Sequence, residues 1–125
     1  GLDARLATLV SADTPDWARL VLLATATLGL GTFFSNTAIA SMLVPVAVVA
    51  AGLSPSIGTT AFTMIVALVA SLSMALPIST PPNAMAYTTR ELSSRDFVRT
   101  GGFVGLLGTV LIVTIALAWA ALRGL

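Results

Sequence analysis

Two short polar segments, Ser35-Asn36-Thr37 and Ser79-Thr80-Pro81-Pro82-Asn83, interrupt a long stretch of sequence that carries no charged residue. That stretch runs from Leu20 to Thr89, and outside the two segments most of it is apolar. Backbone polar groups cannot be left without partners in hydrocarbon, so a non-helical segment at membrane depth must lie inside the protein or against a water-filled cavity. The pattern therefore predicts membrane helices that are broken around a polar site.

The composition also indicates an integral membrane protein. The chain is 57% hydrophobic and only 9% charged, whereas soluble domains carry about 25% charged residues. There is no Cys and no His, which excludes disulfides, thiol catalysis and metal sites built from those residues. The net charge of +1 and the lack of a basic stripe argue against nucleic acid as a partner. The apolar composition instead predicts that the chain lies in a lipid bilayer.

The first polar segment is predicted to be the tip of a re-entrant helical hairpin over 14–53. Thr14-Pro15-Asp16 is a strong helix start, with a capping hydroxyl, a proline at the first helical position and an acid in the first turn. The apolar runs on the two sides of the tip are each shorter than the roughly 20 residues that a full span needs. A single long span with a polar middle is the alternative, but the two runs together exceed one crossing of about 30 Å.

The second polar segment interrupts a transmembrane helix predicted over 56–89. We expect an apolar helix from Ser56 to Leu76, which Pro77 and the later Pro81-Pro82 pair break, because proline lacks an amide N–H and clashes with the preceding turn. A short half-helix then resumes at Ala84. The predicted fold class is therefore all-α and integral to the membrane, with one hairpin, one discontinuous helix and one full transmembrane helix.

Three further segments complete the predicted organisation. They are an interfacial amphipathic helix with its linker over 1–13, a cytoplasmic loop over 90–100, and the last transmembrane helix over 101–123. Ser93 and Asp96 match a capping box that restarts a helix. Gly101 and Gly105 have the GxxxG spacing that lets helices pack closely in lipid.

Charge placement predicts the orientation in a cell (inner) membrane. Arg90, Arg95 and Arg99 lie in a cluster of charged residues that follows the charge-free stretch. A second long apolar run begins directly after this cluster. The positive-inside rule places this cluster in the cytoplasm. The last helix then runs outward, the C-terminus lies outside, and the hairpin opens to the outside.

The residue types in the two polar segments suit an ion and an anion together. Carbonyl groups released by proline, an Asn side-chain oxygen and Ser or Thr hydroxyls are hard oxygen donors for Na⁺. The amide groups at the N-termini of half-helices suit a carboxylate. The alternative is structural: Ser, Thr and Asn also hydrogen-bond between membrane helices, and a proline break can be a plain kink. A non-transporting membrane subunit would use the segments in that way.

The motifs resemble the divalent anion/sodium symporter family of the ion transporter superfamily. The resemblance rests on Ser35-Asn36-Thr37-Ala38 with Leu43-Val44-Pro45, and on residues 76–84, which read Leu-Pro-Ile-Ser-Thr-Pro-Pro-Asn-Ala. It covers most of the chain and corresponds to the family's C-terminal repeat. The resemblance implies the second of two inverted repeats in an elevator-type transporter, whose homodimer scaffold and first ion site lie elsewhere in the same polypeptide.

The resemblance also implies roles for individual residues. Asn36 would give its side-chain oxygen, and Ser79 and Pro81 their backbone carbonyls, to a coupling Na⁺. The substrate carboxylate would be contacted by Ser35, Asn36, Thr37 and Thr80. One position departs from the family pattern, because many relatives carry a Thr four residues before the motif Ser, where this chain has Gly31.

The predicted function is secondary active transport of a small di- or tricarboxylate anion, by Na⁺ symport and without enzyme chemistry. The alternatives within transport are a carrier of citrate, sulfate or arsenite, and a sodium-independent dicarboxylate exchanger of the same fold. A soluble enzyme with a helical core is disfavoured by the length of the charge-free stretch.

Overall fold

The computed structural model describes residues 14–123, and these residues form helices and connecting turns without any strand. The predicted interfacial helix over 1–13 lies outside the described residues. The all-α class is confirmed for the described part of the chain. Its five helices are α1 (Asp16–Gly31), α2 (Asn36–Gly52), α3 (Thr59–Leu72), α4 (Pro81–Thr88) and α5 (Ser94–Arg123).

Helices α1 and α2 form an antiparallel pair joined by a short turn over 32–35. They contain 16 and 17 residues, so both arms are shorter than a membrane span. Ser35 caps α2, since its hydroxyl oxygen accepts a hydrogen bond of 3.3 Å from the amide of Ala38. The pair has the shape of the predicted hairpin, and its placement as a re-entrant element with the tip inside the bilayer stays a prediction.

A buried arginine closes the open end of this hairpin. Arg19, near the start of α1, is 3% exposed. Its Nη1 donates to the Asp16 carboxylate at 2.9 Å, to the Leu53 carbonyl at 2.6 Å and to the Ser54 hydroxyl at 2.7 Å. The hydroxyl of Ser56 also donates to the Asp16 carboxylate. The start of α1 is thereby fixed to the turn between α2 and α3.

Helix α3 lies at the centre and contacts α1, α2 and α5. Phe62, Val66 and Val69 on α3 are fully buried. The neighbouring arms bring small side chains to the same cluster, including Ala24, Ala47, Ala50 and Ala51. Small residues let membrane helices approach closely, which gains van der Waals contact where the hydrophobic effect between helices is weak.

Helix α3 ends four residues earlier than the sequence pattern predicted. It stops at Leu72 rather than at Leu76, and Ser73 follows it in a non-helical conformation. The reason is Pro77, because a proline ring clashes with the carbonyl of the residue four positions earlier, which here is Ser73. The break consequently spans 73–80, and α4 resumes at Pro81 rather than at Ala84.

Helix α5 is the helix of the described part that is long and apolar enough to cross a bilayer. It contains 30 residues and begins at Ser94, inside the segment that the sequence assigned to a loop over 90–100. The capping box explains this start: the Ser93 amide donates to the Asp96 carboxylate at 2.9 Å, and the Asp96 amide donates to the Ser93 hydroxyl at 3.3 Å. The capping box is therefore confirmed, and the connection from α4 shortens to 89–93.

The two glycines of the GxxxG pair bring α5 onto the backbone of the break. A Cβ at Gly101 would lie 2.4 Å from the Met74 carbonyl oxygen, and one at Gly105 would lie 3.0 Å from the Leu72 carbonyl oxygen. At Gly101 only glycine fits without a backbone shift, whereas a side chain at Gly105 would need its neighbour to move by a few tenths of an ångström. The close packing that the spacing predicted is confirmed, and it fixes the start of the break against α5.

Candidate functional site

Each polar segment leads directly into a helix. Ser35 is the cap of α2, and Thr80 is the cap of α4, where its hydroxyl oxygen accepts a hydrogen bond of 3.4 Å from the amide of Asn83. The first amides of a helix have no partner within the helix, and the helix dipole adds a partial positive charge there. Both segments therefore carry the features that favour an anionic group.

Asn36 holds a side-chain oxygen without a partner. It occupies the first position of α2 and is partly buried, and its Oδ1 is fully shielded from solvent and accepts no hydrogen bond within residues 14–123. A buried acceptor without a partner costs about 1–3 kcal/mol. A cation beside Oδ1 would satisfy this atom, so the Asn36 side chain fits the predicted role as a Na⁺ ligand.

The Ser79 hydroxyl is already hydrogen-bonded, which leaves the backbone carbonyl as the other oxygen of this residue. The residue is 1% exposed, and its hydroxyl donates to the Leu76 carbonyl at 2.7 Å. In a continuous helix the amide of Asn83 would bond to the Ser79 carbonyl, but here that amide bonds to the Thr80 hydroxyl instead. The Ser79 carbonyl is therefore left as an available oxygen donor, which fits the second predicted Na⁺ ligand.

The prolines at the start of α4 release further carbonyls. Pro81 and Pro82 occupy the first two helical positions and have no amide hydrogen. The carbonyls of Pro77 and Ile78, four residues earlier, consequently cannot be bonded in a helical manner. The carbonyl of Pro81 belongs to α4 itself, where a helical carbonyl accepts one bond from the next turn and keeps its second lone pair.

The predicted substrate-contacting hydroxyls differ in exposure. Ser35 and Thr37 are exposed at the hairpin tip, whereas Thr80 is half-buried at the break. Ser35 and Thr80 use their oxygens as acceptors in the helix caps, so their hydroxyl hydrogens remain able to donate to a carboxylate. Within residues 14–123, no direct hydrogen bond joins the tip residues Ser35, Asn36 and Thr37 to Ser79, Thr80 or Pro81.

Two residues that the sequence reasoning did not assign to the site hold the break in place. The Nδ2 of Asn83 donates to the Met74 carbonyl at 3.2 Å, which closes α4 back onto the start of the break. Ser73 follows the last residue of α3 and is fully buried, and its hydroxyl donates to the Val69 carbonyl at 3.0 Å and lies 3.5 Å from the Thr27 carbonyl on α1. Its place four residues before Pro77 is the sequence signal for a helix end at this position.

Comparisons with known proteins identify the class. Residues 2–125 match the family described as the sodium:sulfate symporter transmembrane region. The chain belongs to this family of membrane transporters, and the resemblance to the divalent anion/sodium symporters is confirmed.

Several curated relatives are similar over part of the chain. An uncharacterized transporter of Haemophilus influenzae is 36% identical over 66% of this chain and 18% of that protein. A sodium-dependent dicarboxylate transporter of Staphylococcus saprophyticus is 35% identical over 65% of this chain and 15% of that protein. The Na⁺/dicarboxylate cotransporter 3 of Mus musculus is 42% identical over 40% of this chain and 8% of that protein. The matched part of the chain thus covers less than a fifth of the length of each of these relatives.

Proposed function

We propose that this chain provides half of a Na⁺-coupled binding site in a transporter of small dicarboxylates. The observation that carries the proposal is the buried, unpartnered Oδ1 of Asn36 at the hairpin tip. The released carbonyl of Ser79 at the break supplies a second oxygen donor of the same hard type. Two matched relatives are named for sodium-dependent dicarboxylate transport, which supports the same ion and the same substrate class.

In this proposal uncharged residues of the two polar segments bind two charged solutes, Na⁺ and a carboxylate. Na⁺ supplies a positive charge beside the substrate. Asn36, Ser79 and Pro81 would hold the ion through oxygen atoms, in a site that requires the hairpin tip and the break to face each other. Ser35, Thr37 and Thr80 would donate hydroxyl hydrogens to the substrate carboxylate at the N-termini of α2 and α4. The substrate is moved and not chemically changed.

The same proposal predicts the orientation of the chain in the membrane and the elements that it contacts. The hairpin and broken helix would move as one unit against a homodimeric scaffold supplied by the remainder of the polypeptide. The connection around 90–100 would face the cytoplasm, with the C-terminus outside the cell (inner) membrane. The long exposed apolar face of α5, which includes Phe103, Leu107 and Leu111, suits contact with lipid or with further membrane helices.

The direct test is uptake of labelled succinate into proteoliposomes by the longest natural polypeptide that contains this chain. We expect uptake with an inward Na⁺ gradient and none with K⁺ in place of Na⁺. Uptake without Na⁺, stimulated by dicarboxylate inside the vesicles, would contradict symport and indicate an exchanger. Absence of succinate uptake in both conditions, with uptake of citrate, sulfate or arsenite, would contradict the assigned substrate.

A further inference from the structure

The hairpin and the broken helix meet at a contact between Gly31 and Ser73. Gly31 is the last residue of α1, immediately before the turn that leads to the Ser35-Asn36-Thr37 tip. Ser73 is the first residue of the break that leads to Ser79. A Cβ built on Gly31 would lie 2.5 Å from the Ser73 Oγ and 2.6 Å from the Ser73 Cβ. The side chain of Ser73 therefore fills the volume into which any side chain at position 31 would extend.

The Ser73 hydroxyl lies between carbonyl groups of both elements. It donates to the Val69 carbonyl on its own helix at 3.0 Å and lies 3.5 Å from the Thr27 carbonyl on α1. Thr27 and Ser73 are both fully buried, and Gly31 is buried with them. The contact is thus shielded from water and tight, with no room for a shift of the hairpin toward the break.

We propose that Ser73 is a positioning residue that sets the separation between the oxygen donors of the hairpin tip and those of the break. This inference rests on the proposed function, in which Asn36 lies on one element and Ser79 on the other. A site made from two elements binds an ion well only if their separation is fixed to about 0.5 Å. Gly31 precedes Asn36 and Ser73 precedes Ser79 in the sequence. Their contact therefore packs the two elements together just before each predicted Na⁺ ligand.

The geometry gives a test through paired substitutions. Gly31→Ala adds a Cβ that collides with both Oγ and Cβ of Ser73, so we expect it to raise the half-saturating Na⁺ concentration for uptake about tenfold. Adding Ser73→Ala removes only Oγ and leaves the Cβ at 2.6 Å, so it does not restore the site. Adding Ser73→Gly removes both atoms, and the nearest remaining contact is Ile39 at 3.9 Å. We expect this double variant to return to within about threefold of the wild type.

Gly29→Ala is the matched control. Gly29 lies on the same helix as Gly31, but a Cβ at Gly29 would meet no atom within 4 Å. We expect its half-saturating Na⁺ concentration to stay within about twofold of the wild type. A second single variant, Ser73→Ala, adds no atom and removes the hydroxyl that lies 3.5 Å from the Thr27 carbonyl on α1. We expect it to raise the half-saturating Na⁺ concentration about threefold while preserving the folded protein.

The outcomes separate this inference from the proposed function. If the wild type shows no Na⁺ dependence, the proposed function fails. If the wild type depends on Na⁺ but Gly31→Ala behaves as Gly29→Ala does, the positioning role of Ser73 is wrong while the proposed function stands. Equal rescue of Gly31→Ala by Ser73→Ala and by Ser73→Gly would also overturn the positioning role. The same holds if Gly31→Ala and Ser73→Ala lower the thermal stability but leave the Na⁺ requirement unchanged.

Discussion

The four glycines of α5 offer a graded test of how this helix packs on the break. A Cβ at Gly101 would lie 2.4 Å from the Met74 carbonyl oxygen, 2.9 Å from its carbon and 3.0 Å from the Ala75 Cα. All three atoms belong to the backbone, so no side-chain rotation can relieve the collision. Overpacking typically costs about 1–3 kcal/mol, and we expect Gly101→Ala to lie at the upper end of that range, at about 3 kcal/mol.

The neighbouring glycines act as controls on the same helix. A Cβ at Gly102 meets only the Ala75 Cβ at 4.0 Å, an ordinary contact, so Gly102→Ala should stabilise the helix by about 0.5–1 kcal/mol. Gly105→Ala should fall between the two, since its Cβ would lie 3.0 Å from the Leu72 carbonyl oxygen. Gly108→Ala should cost less than Gly101→Ala, because it meets the mobile end of the Leu72 side chain.

The assay is equilibrium unfolding in detergent micelles, followed by the helical circular dichroism signal. The predicted order of destabilisation is Gly101→Ala, then Gly105→Ala, then Gly102→Ala. Equal free energies of unfolding for the Gly101 and Gly102 variants would refute the packing of α5 on the break. A reversed order would refute the register of α5 as well.

Further predictions concern the base of the hairpin, the start of α5 and the substrate. Arg19→Ala should lower the free energy of unfolding by about 3 kcal/mol, as measured by unfolding in detergent. This is the lower end of the range for breaking a buried ion pair, because Asp16 is 32% exposed. Ser93→Ala should cost about 1 kcal/mol by removing the capping box, with an unchanged Na⁺ requirement for uptake. Thr37→Ala should alter the ratio of succinate to sulfate uptake, and an unchanged ratio would contradict a role for its hydroxyl at the substrate.

The broken-helix pattern could be predicted from the sequence because proline and charge-free runs have direct physical effects. Pro77 and the Pro81-Pro82 pair predict the break, although the helix restarts at Pro81 and not at the expected Ala84, and the capping box at Ser93 marks the start of α5. The end of α3 was placed four residues too late. The apolar run to Leu76 suggested a longer helix, whereas the clash between Pro77 and the Ser73 carbonyl decides the end.

The candidate site could be predicted only in part. The oxygen donors of Asn36 and Ser79 belong to polar segments that stand out in an apolar sequence. The role of Ser73 could not be predicted, since it depends on the distance between Gly31 and a residue on another helix. Contacts of this kind are set by tertiary packing, which leaves no local pattern around either residue.

The central claim is that Asn36 Oδ1 is held ready for a Na⁺ ion, and Na⁺-dependent thermal stabilisation measures this directly. We expect Na⁺, but not K⁺ or choline, to raise the unfolding temperature of the protein, with a stabilisation of about 2.7 kcal/mol when Na⁺ is a hundred times its dissociation constant. Asn36→Ala should match or exceed the wild-type stability without Na⁺, because it removes a buried acceptor without a partner. The same variant should gain no stability from Na⁺. Equal stabilisation of both proteins by Na⁺ would contradict the account.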